Sequence, residues 1–292
     1  MPRGAERRHC MTTRRSFLGA VAGGAATATA WRDLAHAAGG TKPPLGLQLY
    51  SLRRQLAKDV PGTLKQVRAW GFEEVETFEP FGAAITPQLR AAGLKVPSMH
   101  VGFERLEKDV AGVIRDADVV GATTVLNPSL PHKEFPATRV EILTAASSFR
   151  EWSKACRAAG KRFGYHVHGH EFGPASEGTL FDVLAEEAGP DVGFEFDVYW
   201  IAYGGADPVA LMRKHAGRVW YTHLKDMPKG LPPGDPAARE ESSKVVLGTG
   251  GLDIKGIVEA GTAAGVEIHF IEDESADPVG QIPRSVAYYR SL

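Results

Sequence analysis

Residues 162–171 read RFGYHVHGHE. The run predicts a strand over 162–168 that ends in His166 and His168, followed by a turn carrying His170 and Glu171. Three of the ten histidines of the chain fall in these few positions. They could ligate a metal, serve as acid and base, or fill a buried strand with hydrogen-bonded rings.

Helical patterns flank the strand, over 138–159 before it and 177–188 after it. The same alternation extends in both directions. Further strands are expected over 45–51, 72–77, 95–100, 123–128, 192–197, 218–223 and 267–272. Helices are expected over 61–70, 86–92, 207–215, 253–264 and 278–291, and around Leu106, Val110, Val113, Ile114 and Ala117, which are spaced at three and four residues. Eight strands, each followed by a helix in about 250 residues, match a single-domain (β/α)8 TIM barrel. The rival is a doubly wound open sheet, which would place a Gly-x-Gly-x-x-Gly turn after the first strand. No such turn is there, and GTGG at 248–251 follows the seventh strand instead.

In a barrel the active site forms at the C-terminal mouth. Every predicted strand ends there in a polar group: Gln48 and Tyr50, Glu76, His100, Asn127, His166 with His168, Asp197, His223 and Glu272. Imidazoles and carboxylates converging on one axis form a nitrogen and oxygen donor set suited to Mn, Zn, Fe, Co or Mg. The carboxylates would repel one another in a low-dielectric mouth, and one divalent ion is the simplest neutraliser.

Composition sets outer limits. The chain has 292 residues, 43% hydrophobic and 24% charged, as expected of a globular protein with a substantial core. Its 34 basic and 35 acidic residues nearly cancel, so there is no general attraction for nucleic acid or an anionic membrane. The first forty residues follow other rules. A basic stretch ends in TRRSFLG, an Ala/Gly-rich run follows, and Ala35-His36-Ala37 has the form of a signal-peptidase site. Residues 1–37 are therefore read as an export signal and 38–292 as the barrel. Arg14 and Arg15 resemble a twin-arginine signal, making the export machinery a partner and the periplasm or exterior the destination. Met11 is an alternative start. Cys10 lies in this segment. Cys156, on the apolar face of the helix over 138–159, is read as core.

Together QLYSLR (48–53), GFEEVE (71–76), YHVHGHEF (165–172), FDVYW (196–200), GRVWYTHLKDM (217–227) and IEDE (271–274) resemble the sugar phosphate isomerase/epimerase family with a xylose-isomerase-like barrel. The resemblance implies one divalent metal held at the ends of strands five to eight. Asp197, His223 and Glu272 map onto three of its ligands. At the fifth strand the usual Glu is replaced by His166, or by His168 with an offset of two residues. The implied chemistry is proton transfer beside a carbonyl through an enediolate. Glu272 and His168 are the candidate bases, and Lys225 would stabilise oxyanion charge. Gln48, Tyr50, Glu76, His100, Asn127, Glu171 and Trp200 are the expected substrate contacts, with Tyr199 a further aromatic and His170 on the rim. Lys225 and Asp226 could equally form a loop ion pair.

With His in place of the fifth-strand Glu, a keto-sugar lyase or hydratase is the alternative on the same site. A barrel endonuclease is disfavoured by the neutral charge and the export signal. A non-catalytic sugar-binding barrel is the reading from another class. A homo-oligomer is compatible with the sequence. The Pro/Gly-rich loop over 228–239 is expected to shape the pocket.

Overall fold

The computed structural model describes residues 41–79, 81–133 and 135–292. The expected export signal, with Arg14, Arg15 and Cys10, lies outside the described residues.

Eight parallel strands close a barrel in sequential order, each bonded to the next and the eighth to the first. They are β1 (Leu45–Gln48), β2 (Val75–Phe78), β3 (Ser98–His100), β4 (Thr124–Asn127), β5 (Arg162–Val167), β6 (Val192–Asp197), β7 (Val219–Leu224) and β8 (Ile268–Ile271). The principal helices that follow them are α1 (Val60–Ala69), α2 (Thr86–Ala91), α3 (Phe103–Val120), α4 (Arg139–Ala158), α5 (Leu180–Glu187), α6 (Pro208–Lys214), α7 (Ile254–Ala264) and α8 (Pro278–Ser291). Six of the strands are shorter than the sequence pattern suggests, while β6 has the expected bounds and β7 the expected length. After Gln48 the chain turns into a 3-10 helix over Leu49–Leu52, because the Gln48 side chain accepts a hydrogen bond from the Tyr50 backbone N–H.

Several helix starts share one local signal, Asp-x-x-Gly. Asp59, Asp253 and Asp277 each accept a hydrogen bond at 3.0 Å from the backbone N–H of the glycine three residues on. The carboxylate satisfies an otherwise unpaired first-turn donor and complements the helix dipole. The glycine is needed for room: a Cβ at Gly62, Gly256 or Gly280 would lie 2.1, 2.3 or 2.2 Å from an oxygen of its aspartate. Asp109 and Gly112 repeat the pattern inside α3, where Asp109 leaves helical geometry at φ −157° and the helix kinks.

The barrel interior is packed in part by Leu126, Tyr221, Ile268 and Phe270. β4 and β7 stand apart in the sheet, so their side chains meet through the interior. Glycines on neighbouring strands leave room for these side chains. A Cβ at Gly46 would lie 2.4 Å from the Phe270 ring, and one at Gly164 would lie 2.9 Å from Leu126. On the outside, Phe149 of α4 lies 5.0 Å from Tyr165 and 5.6 Å from Phe163 between ring centroids. Burying one such ring contributes roughly 1.5–3 kcal/mol. Cys156 is buried on the same helix, and burial pushes its thiol up to about 11, so it belongs to the core.

Candidate metal and sugar site

Strand alternation carries the polar side chains to one end of the barrel in two layers. The lower layer is built on two buried carboxylates. Glu76 Oε1 accepts from Gln48 Nε2 at 2.7 Å and lies 2.8 Å from His223 Nε2 and 2.9 Å from His100 Nε2. The Ser98 hydroxyl donates to its other oxygen. Burial alone would raise the Glu76 carboxyl, but the His100 and His223 rings hold it down at about 2. Glu195 Oε2 lies 2.7 Å from His100 Nε2, 2.8 Å from His166 Nδ1 and 3.1 Å from His223 Nε2.

Glu195 is the residue that sequence reasoning passed over. It sits in VGFEFD between two phenylalanines, and the signal was available. A carboxylate two residues before Asp197 in a strand must share its face, so it too points away from the apolar side.

The upper layer lies above these rings. His166 Nε2 is 3.7 Å from Asp197 Oδ2, and His223 Nδ1 is 4.0 Å from the same oxygen and 3.0 Å from Glu272 Oε2. Asp197 Oδ1 accepts from the Tyr199 and Trp200 backbone N–H groups, which starts the short helix Val198–Tyr203 and fixes the carboxylate. Lys225 Nζ lies 3.0 Å from Asp197 Oδ2, 2.5 Å from Glu272 Oε2 and 2.7 Å from Glu274 Oε2. Burial would lower this ammonium, but Asp197, Glu272 and Glu274 hold it well above its ordinary value. Burial likewise opposes charge on His223, and the Glu195 and Glu272 carboxylates overcome it. His166 goes the other way, pushed well below its ordinary range by burial and by the His223 ring.

Two donor groups can be drawn from these atoms: His100, His166, Glu195 and His223 below, and Asp197, His223 and Glu272 above. In the lower group the ring nitrogens already share Glu195 Oε2, which explains their positions without an ion. The upper group fits a divalent ion better. Asp197 Oδ2 is buried, and among the described residues the Lys225 ammonium at 3.0 Å is its one close polar neighbour besides the two histidine rings. The upper separations of 3.0 to 4.0 Å are near the roughly 3.4 Å edge of a tetrahedron with bonds of about 2.1 Å. His166 Nε2 flanks this group, 3.7 Å from Asp197 Oδ2, and the far nitrogens of both histidines are held by carboxylates, the usual support of a ligating imidazole.

Above the group opens a cavity of about 420 Å³. Tyr50 and Phe78, at 5.1 Å and 83°, give it an aromatic wall. His100, His168, Glu79, Lys225 and Glu272 line the rest, with Glu274 at its edge. His168 follows β5 and makes no side-chain hydrogen bond among the described residues; Gly169, at φ +87°, turns the chain there, and a Cβ would lie 2.3 Å from the Trp200 carbonyl oxygen. Of the two fifth-strand histidines, His166 is the one within reach of Asp197.

Several expected contacts lie elsewhere. Gln48 and Glu76 are under the floor, bound to each other. Asn127 donates to the Val101 carbonyl at 2.9 Å and accepts from Ser129 N, so its amide pins two loops and does not line the cavity. Glu171 is buried below the rim, accepting from the Tyr165 hydroxyl and His168 N, because Tyr165 faces the helices and not the axis. Asp226 pairs with no lysine: its carboxylate accepts from the N–H groups of Met227, Gly248, Gly250 and Leu252. Tyr199 is buried, its hydroxyl donating to the Ala238 carbonyl at 2.7 Å. Trp200 and His170 line a neighbouring cavity.

No family model matches the sequence. Over 123 residues the chain is 29% identical to an inosose dehydratase from Geobacillus thermodenitrificans, covering 38% of this chain and 41% of the relative. It is 36% identical over 73 residues to an inosose dehydratase from Geobacillus kaustophilus, covering 25% of this chain and 23% of that one. The matches thus span less than half the length of these relatives. A sugar phosphate isomerase/epimerase from Parabacteroides distasonis superposes with a TM-score of 0.70 at 24% identity, covering 86% of this chain and 98% of that one. The IOLI protein with a bound zinc atom superposes with a TM-score of 0.64 at 12% identity, covering 85% and 96%. These superpositions show the shared barrel fold.

Proposed function

We propose that the chain is a metal-dependent enzyme of sugars or keto-sugars that removes a proton beside a carbonyl, in the manner of an isomerase or epimerase. The observation that carries this reading is the grouping of Asp197 Oδ2, His223 Nδ1 and Glu272 Oε2, with His166 Nε2 3.7 Å from Asp197 Oδ2, beside the cavity that His166 and Glu272 line. These four residues would hold the ion. One divalent ion, Mn, Zn, Fe, Co or Mg, would supply an electrophile for the carbonyl and adjacent hydroxyl oxygens.

The chain's own groups do the rest. Tyr50 and Phe78 receive the apolar face of the ring, while His100 and Glu79 reach its hydroxyls. Glu272 or His168 takes the carbon-bound proton and returns it. The Lys225 ammonium, kept charged by three carboxylates, faces the oxygen on which negative charge develops. The zinc carried by the IOLI protein and the sugar chemistry named for the other neighbours support the reading.

A second reading is elimination, as in a keto-sugar dehydratase. The cavity wall after β5 carries the His168 imidazole where a second carboxylate would serve two-sided epimerisation, and both curated relatives are inosose dehydratases. A sugar-binding barrel without catalysis would not need the full donor set.

The test is elemental analysis of the purified protein beside Asp197→Asn, which can keep the helix cap, followed by a keto-sugar screen in deuterated water. About one equivalent of metal, lost in the variant, with deuterium entering beside the carbonyl, is the expected result. Ultraviolet absorbance of a conjugated ketone would mark elimination. Metal absent from both proteins after supplementation would reduce the site to polar lining. For the N-terminal segment we propose twin-arginine export. A reporter fused to residues 1–45 should lose export when Arg14 and Arg15 become Lys, and unchanged export would refute that route.

A further inference from the structure

A second cavity, of about 320 Å³, opens beside the first, and His168 lines both. It is built by the segments after β4, β5, β6 and β7. Phe135, Trp200 and Tyr203 form aromatic walls, with ring centroids 5.1 Å apart for Phe135 and Tyr203 and 5.3 Å for Trp200 and Tyr203. The Arg239 guanidinium lies over two of these rings, 5.9 Å from Phe135 and 5.8 Å from Tyr203. Lys133 stands on the rim beside the packed rings of His132 and His170, whose centroids are 3.8 Å apart.

Among the described residues the two cavities differ in charge. Glu79, Glu272 and Glu274 line the first against one lysine. Among the described residues no carboxylate lines the second, and Arg239 and Lys133 make no ion pair there. Arginine and lysine side chains are donors only, and a carboxylate or phosphate is the acceptor that matches them best. Aromatic walls suit the flat apolar face of a sugar ring.

We propose that the second cavity is a subsite for a second ring bearing an oxyanion, carboxylate or phosphate, so that the substrate is an acidic glycoside of at least two rings. The inference rests on the sugar reading of the first cavity. The reacting ring lies over Glu272 and Lys225, the link crosses His168, and the acidic ring ends beneath Arg239.

The test is calorimetric titration of the full chain at low salt with glucuronate, glucose 6-phosphate and glucose, which separates the two oxyanion sources from a neutral ring. At least one acidic probe should bind about tenfold or more tighter than glucose, and Arg239→Met should remove that advantage. Arg239 is exposed, so this change leaves the core intact. Asp197→Asn, which removes a proposed metal ligand, should leave acidic-probe binding unchanged. A disaccharide of glucose linked to the preferred acidic sugar should bind about tenfold or more tighter than that sugar alone. Equal binding of all three probes, indifference to Arg239→Met, loss in Asp197→Asn, or no gain from linkage would each overturn the proposal. Because binding is read without turnover, the subsite can fail while the enzyme reading stands, and the reverse.

Discussion

His223 and Glu76, 147 residues apart in the sequence, meet inside the barrel with Nε2 2.8 Å from Oε1. Glu76 also holds Gln48, Ser98 and His100, all buried. Glu76→Ala would strand these donors in a low-dielectric interior, at a cost of about 3–5 kcal/mol. Glu76→Gln keeps an acceptor and should lose markedly less. Denaturant unfolding of the two variants decides it: equal losses would mean that the network is not what stabilises this layer.

Glu195 touches no proposed ligand position in the upper layer, yet it holds His166 Nδ1 and His223 Nε2 from below. Glu195→Gln should therefore weaken metal binding by about 10–100-fold while leaving all four proposed ligands in place. Chelator competition measures this directly. Unchanged affinity would indicate that the lower carboxylate does not orient the rings, and total loss of metal would make Glu195 itself a ligand.

Asp226 ties the end of β7 to the segment over 248–252 through three backbone N–H groups, at 2.9 to 3.1 Å, and accepts from Met227 N as well. Gly250 permits the approach, since a Cβ there would lie 2.3 Å from the carboxylate. Asp226→Ala leaves one buried and three part-buried donors without this acceptor and should cost about 3 kcal/mol, a fall of roughly 6–12 °C in Tm. A shift under about 2 °C would show that the segment is held by other contacts.

His269 gives a pH dependence with a definite sign. The ring is buried, with Nδ1 2.5 Å from the Thr222 hydroxyl and Nε2 unpartnered, and burial holds it down at about 3. The unfolded chain takes up a proton near pH 6.5 that the folded chain refuses until about 3. Stability is therefore full above about pH 6.5 and declines as pH falls toward 3, by about 2 kcal/mol at pH 5. His269→Gln should be less stable at pH 7 but show a shallower decline between pH 7 and pH 5. An unchanged slope would assign the acid sensitivity to other groups.

The strand and helix order was legible because each unit is locally encoded in short apolar runs and three-and-four spacing. Those units in sequence leave few ways to bury eight strands other than the closed barrel. The polar strand ends were legible for the same reason, since alternation along a strand fixes which side chains share a face.

Depth along the barrel axis and the partners met across it are set by stagger and by loops that local pattern does not encode. So Glu195 became visible as the support of two histidines only once β3, β5, β6 and β7 were closed on one another. Asn127 and Glu171 bear suitable groups at suitable positions, yet the Val101 carbonyl and the Ser129 N–H claim the first, and the His168 N–H and the Tyr165 hydroxyl claim the second. The second cavity, lined from the segments after β4, β5, β6 and β7, has no signature in any one of them alone. Local pattern along the chain sets the barrel and the kinds of groups at its mouth; which atoms face one another follows from closure of the sheet, because hydrogen bonding and charge depend on distances across it.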